Sequence, residues 1–301
     1  MLSSHIPTDF KKRILIFGKT GQLAKTFSLV FKDYKNILQL GSDEVNFLNL
    51  NKIEEIINLF KPNLIINTSA HTNVNLSELN PEIAFAINSI AVTKIAETAK
   101  KINATLIHFS TDYVFDGKAK HLYKPNDQAN PLNVYGMSKF EGEKNIVNSG
   151  CKYFILRISW LVSEYSNNFI KTMISKIKTE SKIKVVNDQF GSPISAHLVT
   201  DLTTKLLYLK NNDLINKTFH LSTKGRASWY EIAVHIAKII KDPQKGNNIF
   251  PIDSNQYQSK VLRPKNSLFD HRDIEKNLFL KMPFWKDDIN PVILKLNLLG
   301  K

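Results

Sequence analysis

A glycine-rich turn directly after the first apolar run limits the folds open to this chain more than any other feature. Residues 13–17 (RILIF) predict a buried strand, and the run GKTGQLA (18–24) follows it. In dinucleotide-binding folds one glycine permits a tight turn, a second lets a helix N-terminus approach a pyrophosphate, and a third small residue packs helix against strand. Gly18, Gly21 and Ala24 match these positions. The run is not a Walker loop, because its lysine stands near the start.

Strand-like and helix-like patterns alternate over the first half of the chain. The further predicted strands lie at 37–40, 64–67, 105–110 and 153–158. The helical patterns that follow the strands lie at 26–31, 52–60, 81–101 (opened by Pro81) and 135–148. This order predicts an α/β fold: a Rossmann-type doubly wound parallel sheet with helices on both faces.

The second half of the chain is less regular. Its predicted helices lie at 168–178, 195–209 and 229–241, and its predicted strands at 184–186 and 218–221. After residue 243 the pattern is interrupted by Pro251, Pro264, Pro283 and Pro291, which predicts a smaller, loop-rich lobe over the carboxyl edge of the sheet. Because no flexible linker separates the parts, we expect a dinucleotide-binding core at 13–160, with returning elements near 184–222. The remainder, 161–301, is expected to form mainly a substrate-binding lobe interleaved with that core.

Composition excludes several classes of protein. With 43% hydrophobic and 23% charged residues, the chain is neither a disordered nor a collagen-like sequence. Cys151 is the only cysteine, so an intramolecular disulfide and a paired-cysteine zinc site are both excluded. No apolar run reaches the roughly 18 residues of a membrane span, and residues 1–12 lack a signal-peptide core. We therefore expect a cytoplasmic protein without a membrane partner.

The net charge is strongly positive, with 41 Lys and Arg against 27 Asp and Glu. A basic surface attracts nucleic acid, anionic lipid or a small phosphorylated ligand. The lysines are scattered among Asn and Ile rather than gathered in one block, which favours compositional drift as the explanation. The charge supports an anionic ligand weakly, and we predict no nucleic-acid partner.

The end of the second predicted strand bears on cofactor choice. An acid about 20 residues beyond the glycines bonds the ribose of NAD and repels the phosphate of NADP. Asp43 lies near that distance, but Gly41 occupies the expected strand-end position and no arginine stands by for a phosphate. A dinucleotide contact and an ordinary solvated turn therefore both remain open for this segment.

Candidate catalytic residues follow the fourth strand. Thr111 lies at its end, and Tyr135 and Lys139 fall at the start of the next helix, on one face and one turn apart. A neighbouring ammonium favours tyrosinate, which predicts a lowered phenol pKa and a proton donor to a developing alkoxide. The Thr111 hydroxyl can bond the same oxygen and help to stabilise its charge. The combination indicates an active site that acts on a carbonyl group.

Several longer runs carry a family resemblance over about residues 13–296. They are FGKTGQ (17–22), SAHTNV (69–74), STDYVFDG (110–117), PLNVYGMSKFEGE (131–143), RISW (157–160), NNF (167–169), NDQFGSP (187–193) and RPKNS (263–267). With them the chain resembles the extended short-chain dehydrogenase/reductases and, within these, the dTDP-4-dehydrorhamnose reductase family. Tyr135 and Lys139 mark only the superfamily, whereas the joint set of runs is specific to the family.

The resemblance implies an NAD(P)H-dependent oxidoreductase of dTDP-rhamnose biosynthesis. Such an enzyme transfers a hydride to C4 of dTDP-4-dehydro-6-deoxy-L-mannose and so forms dTDP-L-rhamnose, with Tyr135 as the proton donor. NADPH is the expected cofactor and NADH the alternative; a dTDP-sugar is the expected partner, and a homodimer is allowed. Two other functions remain open: reduction of another nucleotide-linked keto sugar, and a non-catalytic module like the regulatory subunit of methionine adenosyltransferase. The presence of Thr111, Tyr135 and Lys139 together favours catalysis.

The resemblance also implies roles for individual residues. Lys139 would hold the nicotinamide ribose and tune the Tyr135 phenol, Thr111 would be the third catalytic member, and Asn88 would support the lysine. The residues expected to contact the cofactor are Gly18, Thr20, Gly21, Gln22, Leu23, Ala70, His71, Thr72, Phe109, Tyr135 and Lys139. Those expected to contact the substrate are Thr111, Asp112, Trp160, Gln189, Gly191, Pro193 and Arg263, the last at the diphosphate.

The chain departs from the family pattern at three points. The Asp-Lys pair that usually follows the His-Thr segment is Asn75-Leu76 here, which puts in doubt an ionic role for this loop. The glycine usual at position 24 is Ala24. Some members bind Mg²⁺ through glutamates, but the matching first-helix position is Thr26, and no carboxylate cluster accompanies His71 or His108. We therefore predict no metal.

Overall fold

A computed structural model describes residues 11–209, 214–240, 248–257 and 261–299 of the chain. The strands are β1 (Ile14–Phe17), β2 (Ile37–Leu40), β3 (Leu64–Asn67), β4 (Thr105–Thr111), β5 (Lys152–Ile158), β6 (Leu161–Val162), β7 (Ile183–Val186), β8 (Phe190–Gly191), β9 (Ile194–Ser195), β10 (Lys217–Leu221), β11 (Ala227–Ser228) and β12 (Ile249–Ile252). Six of them form one parallel sheet in the order β10-β5-β4-β3-β1-β2. The predicted doubly wound parallel sheet is confirmed.

The helices lie between these strands and after them. They are α1 (Gln22–Val30), α2 (Leu50–Phe60), α3 (Val74–Leu79), α4 (Pro81–Phe85), α5 (Ala91–Lys101), α6 (Val134–Ser149), α7 (Phe169–Thr179), α8 (Ala196–Tyr208), α9 (Trp229–Ile239), α10 (Arg272–Leu278) and α11 (Trp285–Leu299). Within the described ranges, none of these helices combines the length and apolarity needed to cross a membrane.

Apolar side chains cover both faces of the central sheet. Successive residues of a strand point to opposite faces, so Ile14 and Ile16 join a cluster with α1 and α8. Leu15 and Phe17 join the opposite cluster, which is formed with α2 and α5. Because every residue of β1 is buried, this strand reads as a continuous apolar run, which is the pattern of a strand covered on both sides.

A second apolar core lies in the C-terminal half. It is formed by α7, α9 and α11 together with β7 and β12, which pair in parallel. Between these elements the chain returns to the first core, because β10 pairs with β5 at the edge of the central sheet and α8 packs on α1. The chain therefore crosses between the two cores more than once.

The sequence predicted that four prolines after residue 243 interrupt regular structure, but two of them lie inside a strand or a helix. Pro251 lies within β12, where a two-stranded sheet leaves each strand an open edge. Pro291 lies inside α11, where it removes a helical hydrogen bond at a cost of about 3 kcal/mol. The neighbouring Ile289, Val292 and Ile293 are buried in the second core, and their burial stabilises the helix against that loss.

The single helix predicted over 81–101 is divided. After α4, residues Ala86–Ile90 form one π-helical turn, and α5 then continues the helix. A π turn inserts an additional residue and is frequently found at functional sites. It is not visible in the sequence because the hydrophobic spacing on either side remains helical. Asn88, one of the predicted site residues, lies in this turn.

Candidate active site

A cleft of about 610 Å³ opens at the carboxyl ends of β1, β3, β4 and β5. Ligands of open parallel sheets bind at this edge, and the volume falls within the usual range for ligand sites. The predicted site residues that line it are Gly18, Thr20, Gly21, Gln22, Leu23, Ala70, Thr72, Phe109, Thr111, Asp112, Tyr135, Lys139 and Trp160. Those that do not line it are His71, Asn88, Gln189, Gly191, Pro193 and Arg263.

The turn after β1 requires glycine at its first position. Gly18 has φ +112°, and a β-carbon there would lie 2.2 Å from the Thr68 hydroxyl oxygen at the end of β3. Its N–H donates to the carbonyl of Leu40 at 2.7 Å, which ties the turn to β2. A β-carbon at this position would require the Thr68 side chain to move, and the positive φ disfavours residues other than glycine. Both features are typical of a tight dinucleotide-type turn.

The N-terminus of α1 faces the cleft without a capping side chain. Gly21 is the cap residue, it makes no side-chain hydrogen bond, and a β-carbon there would meet no atom within 4 Å. The first N–H groups of a helix lack intrahelical partners and carry partial positive charge, so they attract an anion. This arrangement can accept a pyrophosphate at close range.

Gln22 links this turn to the region after β5. Its side-chain oxygen accepts hydrogen bonds from Ser163 Oγ at 2.8 Å and from Asn168 Nδ2 at 3.3 Å. Its side-chain nitrogen donates to the Leu161 carbonyl at 3.4 Å. The amide is therefore engaged within the protein, and it holds the floor of the cleft together while lining it.

The loop after β2 bears on cofactor choice, and Asp43 does not line the cleft. Ser42 does, together with Lys19 from the glycine turn. Glu44 accepts the backbone N–H of Gly41 at 2.7 Å and forms an ion pair with Lys19. The Glu44 carboxylate is thus occupied in holding its own loop, and neither it nor Asp43 lines the cleft.

Asn88 organises the loop that follows β3. Its side-chain oxygen accepts from the N–H of His71 at 2.9 Å, and its side-chain nitrogen donates to the His71 carbonyl at 3.0 Å and to Ser138 Oγ at 3.0 Å. It therefore fixes the backbone between Ala70 and Thr72, which line the cleft. Asn88 contacts the residue before Lys139 and makes no recorded bond to the lysine amine itself.

Two glycines of α6 permit its close approach to the site. A β-carbon at Gly136 would lie 2.2 Å from the carbonyl oxygen of Tyr113, and one at Gly142 would lie 2.2 Å from that of Asn88. The helix begins at Asn133, whose side chain accepts the Gly136 N–H at 2.8 Å. This packing brings Tyr135 and Lys139, one turn apart, against the end of β4.

The pKa of Tyr135 is raised, and the lowering predicted from the sequence is wrong for the protein alone. The residue is enclosed, and desolvation disfavours the tyrosinate; a hydrogen bond from Thr111 opposes this effect, and Asp112 adds to it. The amine of Lys139 is turned to other partners. The phenol is therefore fully protonated at neutral pH, which is the form required of a proton donor.

Lys139 is almost completely buried, with 2% of its surface exposed. Its amine donates to the Phe109 carbonyl at 2.7 Å and lies 3.1 Å from Nε2 of His108. Burial lowers the lysine pKa to about 8, and the nearby Glu143 carboxylate opposes that shift. A lysine in this state is placed to exchange its proton near neutral pH.

Asp112 is a buried carboxyl at the end of β4. It accepts from Ser267 Oγ at 2.5 Å and from Thr111 Oγ1 at 3.2 Å. Burial raises its pKa to about 6, and these hydrogen bonds oppose the rise. The carboxyl therefore titrates close to neutral pH at the cleft wall.

Trp160 forms the lobe side of the cleft in a left-handed backbone conformation, with φ +53°. Its ring stacks on Trp229 with centroids 3.6 Å apart. Gly191 packs against the same ring, since a β-carbon there would lie 2.6 Å from ring atom Cε2. Gly191 thus reaches the cleft only through Trp160.

The remaining predicted substrate residues of this loop lie behind the cleft wall. Gln189 is buried and donates to Ser254 Oγ at 3.0 Å. The Pro193 carbonyl accepts from Thr223 Oγ1 at 2.9 Å. Both contacts fasten the segment 189–193 to its own lobe.

Arg263 lies between the lobe and the loops of the cleft. Its guanidinium donates to the side-chain oxygen of Asn75 at 3.3 Å and bonds the phenol of Tyr113. Burial raises the pKa of Tyr113 to about 12, and the arginine opposes that rise. Tyr113 lines the cleft, so Arg263 stands directly behind its wall. Because residue 75 is a neutral asparagine, this contact is a hydrogen bond and not an ion pair.

Sequence reasoning missed three groups that hold the site in place. His108 contacts the catalytic lysine candidate, and Ser267 bonds Asp112 from the second lobe. Glu143 forms a buried ion pair with Arg157 of β5 at 2.6 Å, which fixes α6 on the sheet. All three stand in or next to the sequence runs that carry the family resemblance, which is the signal that could have found them.

No group of three or more His, Cys, Asp or Glu suited to a metal ion occurs among the described residues. Thr26, the position at which the family resemblance implies a metal-binding glutamate, is buried in α1. Its hydroxyl bonds the Leu23 carbonyl at 2.8 Å and lies 2.8 Å from the Thr200 hydroxyl. It therefore presents no ligand to solvent.

The chain matches one family over nearly its whole length. The family model, described as the RmlD substrate binding domain, covers residues 12–298. Among curated proteins, dTDP-4-dehydrorhamnose reductase of Escherichia coli K12 is 32% identical over 94% of this chain and 97% of its own length. The protein of the same name from Aggregatibacter actinomycetemcomitans is 34% identical over 91% of this chain and 96% of its own.

Solved structures give the same result. A dTDP-4-dehydrorhamnose reductase from Bacillus anthracis Ames, in complex with NADP, superimposes with a TM-score of 0.87 at 32% identity, covering 95% of this chain and 100% of that one. A Bordetella bronchiseptica enzyme, WbmG, in complex with NAD and UDP, has a TM-score of 0.81 at 17% identity, covering 97% of this chain and 94% of its own. The second likeness concerns the fold alone.

Proposed function

This chain belongs to the RmlD substrate binding domain family, and from that premise we propose that it reduces dTDP-4-dehydro-6-deoxy-L-mannose to dTDP-L-rhamnose with hydride from NADPH. The observation that carries the proposal is that Thr111, Tyr135 and Lys139 line one cleft, with Thr111 hydrogen-bonded to the phenol of Tyr135. The protein is an oxidoreductase of the nucleotide-sugar class, as its relatives' names state.

The residues present fit a dinucleotide. Gly18 admits no side chain, the N-terminus of α1 is open toward the cleft, and Lys139 lies at the far end of the same cavity. We assign the pyrophosphate to the amides after Gly21 and the nicotinamide ribose mainly to Lys139, with Tyr135 beside the nicotinamide. When bound, the nicotinamide supplies the hydride.

Tyr135 supplies the proton of the reaction. As the hydride adds to C4, the π electrons of the carbonyl move to its oxygen, and the phenol proton of Tyr135 passes to that oxygen to give the alcohol. The raised phenol pKa keeps the proton in place until negative charge develops. The Thr111 hydroxyl bonds Asp112 and Tyr135 in the unbound protein, and with substrate present it turns its single proton to the same oxygen. A protonated Lys139 stabilises the tyrosinate that remains.

NADPH is the cofactor we assign, with NADH as the alternative. A related reductase is described in complex with NADP. In this chain Lys19 and Ser42 line the cleft beside the end of β2, where a 2′-phosphate would lie, and Glu44 is held by Lys19 and the Gly41 amide. A cation and a hydroxyl at this place suit a phosphate better than the ribose-binding acid of NAD enzymes.

The substrate is assigned to the lobe side of the cleft. Asp112 and Trp160 line it and are placed to meet the sugar. The segment that contains Gln189, Gly191 and Pro193 contributes indirectly, because it supports the Trp160 ring. Arg263, which bonds Tyr113 behind the cleft wall, is the cation that we assign to the diphosphate. This assignment corresponds to a dinucleotide-binding core at 13–160 and a mainly substrate-binding lobe at 161–301.

The proposal is tested by following cofactor oxidation with dTDP-4-keto-L-rhamnose and each cofactor in turn, and by identifying the product by NMR. We expect turnover with a preference for NADPH and formation of dTDP-L-rhamnose. Turnover only with a different nucleotide-linked keto sugar would support the second candidate substrate. Binding of both ligands without turnover would indicate the non-catalytic module.

We also propose a cytoplasmic homodimer. Leu79, Ile90, Met137 and Val147 are exposed apolar side chains on the helical layer that contains α3 and α6, and a second copy of this layer would cover them. A buried, unpaired Cys151 suits a reducing compartment. Sedimentation of the wild type and of Val147→Glu tests the dimer: we expect the variant to sediment as a monomer, and an unchanged mass would exclude this face.

A further inference from the structure

A line of buried polar groups runs from β3 through β4 to Lys139. The N–H of Ser69 donates to Asn67 Oδ1 at 3.1 Å, and Asn67 Nδ2 lies 3.2 Å from His108 Nδ1. His108 Nε2 in turn lies 3.1 Å from Lys139 Nζ. Asn67, His108 and Lys139 are each at most 2% exposed, so water does not supply alternative partners.

The order of donors and acceptors along this line is determined at one end. Because Asn67 Oδ1 already accepts the Ser69 N–H, the side-chain nitrogen of Asn67 faces His108 and donates to Nδ1. A neutral imidazole that accepts at Nδ1 carries its proton on Nε2. That proton points at Lys139 Nζ, which can accept it only as a neutral amine.

We propose that Asn67 and His108 are positioning residues that set the protonation state of Lys139. In one arrangement His108 carries its proton on Nε2 and Lys139 is a neutral amine. In the other, Lys139 is an ammonium that donates to a bare Nε2, His108 carries its proton on Nδ1, and the Asn67 amide turns to accept that proton, which gives up the hydrogen bond from the Ser69 N–H. Each arrangement of the ring stabilises one form of the lysine.

The other charged groups around Lys139 do not remove the dependence of its protonation state on the His108 tautomer. On α6, Glu143 favours the ammonium, but its carboxylate is paired with Arg157 of β5. Tyr135 on α6 is a neutral phenol, and Asp112 and Tyr113 lie at the end of β4. The Phe109 carbonyl accepts a hydrogen from either form of the lysine amine.

The electrostatics of the two buried groups agree with this interpretation. Burial holds the pKa of His108 well below its usual value, so the ring stays neutral and changes tautomer without gaining a proton. Burial lowers the pKa of Lys139 to about 8. The lysine therefore changes form in a pH range where the enzyme can be studied.

The most direct test observes the His108 ring by two-bond ¹H–¹⁵N NMR of the ¹⁵N-histidine-labelled protein without ligands. His108→Gln assigns the signal among the eight histidines of the chain. We expect a neutral ring throughout, with its proton on Nδ1 at low pH and on Nε2 at high pH, and a midpoint near the lysine pKa of about 8. A single tautomer across that range, or a ring that gains a proton, would overturn the proposal.

Two substitutions should favour the ammonium form of Lys139 over the neutral amine. Asn67→Asp keeps the acceptor for Ser69 and places a carboxylate opposite Nδ1, which fixes the proton there and leaves Nε2 to accept from the ammonium. His108→Gln offers an amide oxygen to the same ammonium. Each change should raise the Lys139 pKa by about one unit or more. In Asn67→Asp the tautomer should remain Nδ1–H up to a correspondingly higher pH.

The activity test rests on the proposed function and is separate from the NMR result. Because the ammonium of Lys139 stabilises the forming tyrosinate, kcat/KM should fall above its pKa. This decrease in kcat/KM at high pH should begin at a higher pH in Asn67→Asp and in His108→Gln. It should not shift in the control His121→Gln, which alters an exposed histidine. A uniformly lower kcat with this decrease at an unchanged pH would show a structural role alone and contradict the proposal. If no carbonyl substrate is reduced, the proposed function fails while the tautomer result stands on its own.

Discussion

Ser267 donates a 2.5 Å hydrogen bond to Asp112, which joins the second lobe to the end of β4, where Thr111 lies. Asp112 neighbours Thr111, whose hydroxyl bonds Tyr135, so a contact made by the lobe is one residue away from the proposed proton donor. This hydrogen bond holds the segment 263–267 against the cleft wall, which Asp112 lines. The hydrogen bond from Ser267 therefore explains why the RPKNS run (263–267) lies beside the site.

Ser267→Ala should change the pH dependence of substrate binding. The Ser267 hydroxyl lowers the pKa of Asp112, which stands at about 6, so its removal raises that pKa further. In the proposed substrate complex an ionised Asp112 accepts hydrogen bonds from the sugar hydroxyls, so KM for the sugar should rise as pH falls through the Asp112 pKa. In the variant this rise should begin at higher pH. Measurement of KM from pH 5 to pH 8, with exposed Ser175→Ala as control, checks this; coincident profiles would contradict it.

Arg263→Ala should weaken binding of the nucleotide without affecting the cofactor. A charged hydrogen bond contributes about 1.5–3 kcal/mol, so its loss corresponds to roughly a ten- to a hundred-fold change in affinity. We expect KM for the substrate and the inhibition constant of dTDP to rise in parallel. Arg272→Ala is the matched control, because Arg272 belongs to the same lobe and pairs with Asp270 at the surface. Unchanged inhibition by dTDP would place the anion contact elsewhere.

Lys139→Ala should reduce both turnover and cofactor affinity, since it removes a ribose contact and the charge beside Tyr135 in one step. Lys144→Ala is the control on the same helix, where Lys144 is exposed and pairs with Glu141. Steady-state kinetics and cofactor titration by fluorescence separate the two effects. If turnover is lost while cofactor affinity is unchanged, Lys139 does not bind the ribose, and that part of its assigned role is wrong.

The alternation of strands and helices is readable from the sequence because it depends on local periodicity. β1 to β5 lie within about two residues of their predicted ranges, and the strand ends then determine which residues meet. Thr111, Tyr135 and Lys139 were predicted at one site for this reason, and they line one cleft. Gly18 was recognised because only a glycine admits the turn at that point.

Other features depend on contacts between distant segments. The π turn that presents Asn88 accompanies the close approach of Gly142 to its backbone, and nothing local marks it. Pro291 stays within a helix because the second core holds its neighbours. The pKa of Tyr135 follows from burial, which the four-residue spacing to Lys139 does not reveal.

The central claim is that Tyr135 protonates a sugar ketone, and it is tested most directly by single-turnover reduction of dTDP-4-keto-L-rhamnose by wild type and Tyr135→Phe at saturating NADPH. Only the phenol hydroxyl differs between the two proteins. General acid catalysis contributes about a hundred- to ten-thousand-fold, so we expect the rate to fall by that factor while the dissociation constant of NADPH stays nearly unchanged. A Tyr135→Phe variant that reduces the ketone at close to the wild-type rate would contradict the account.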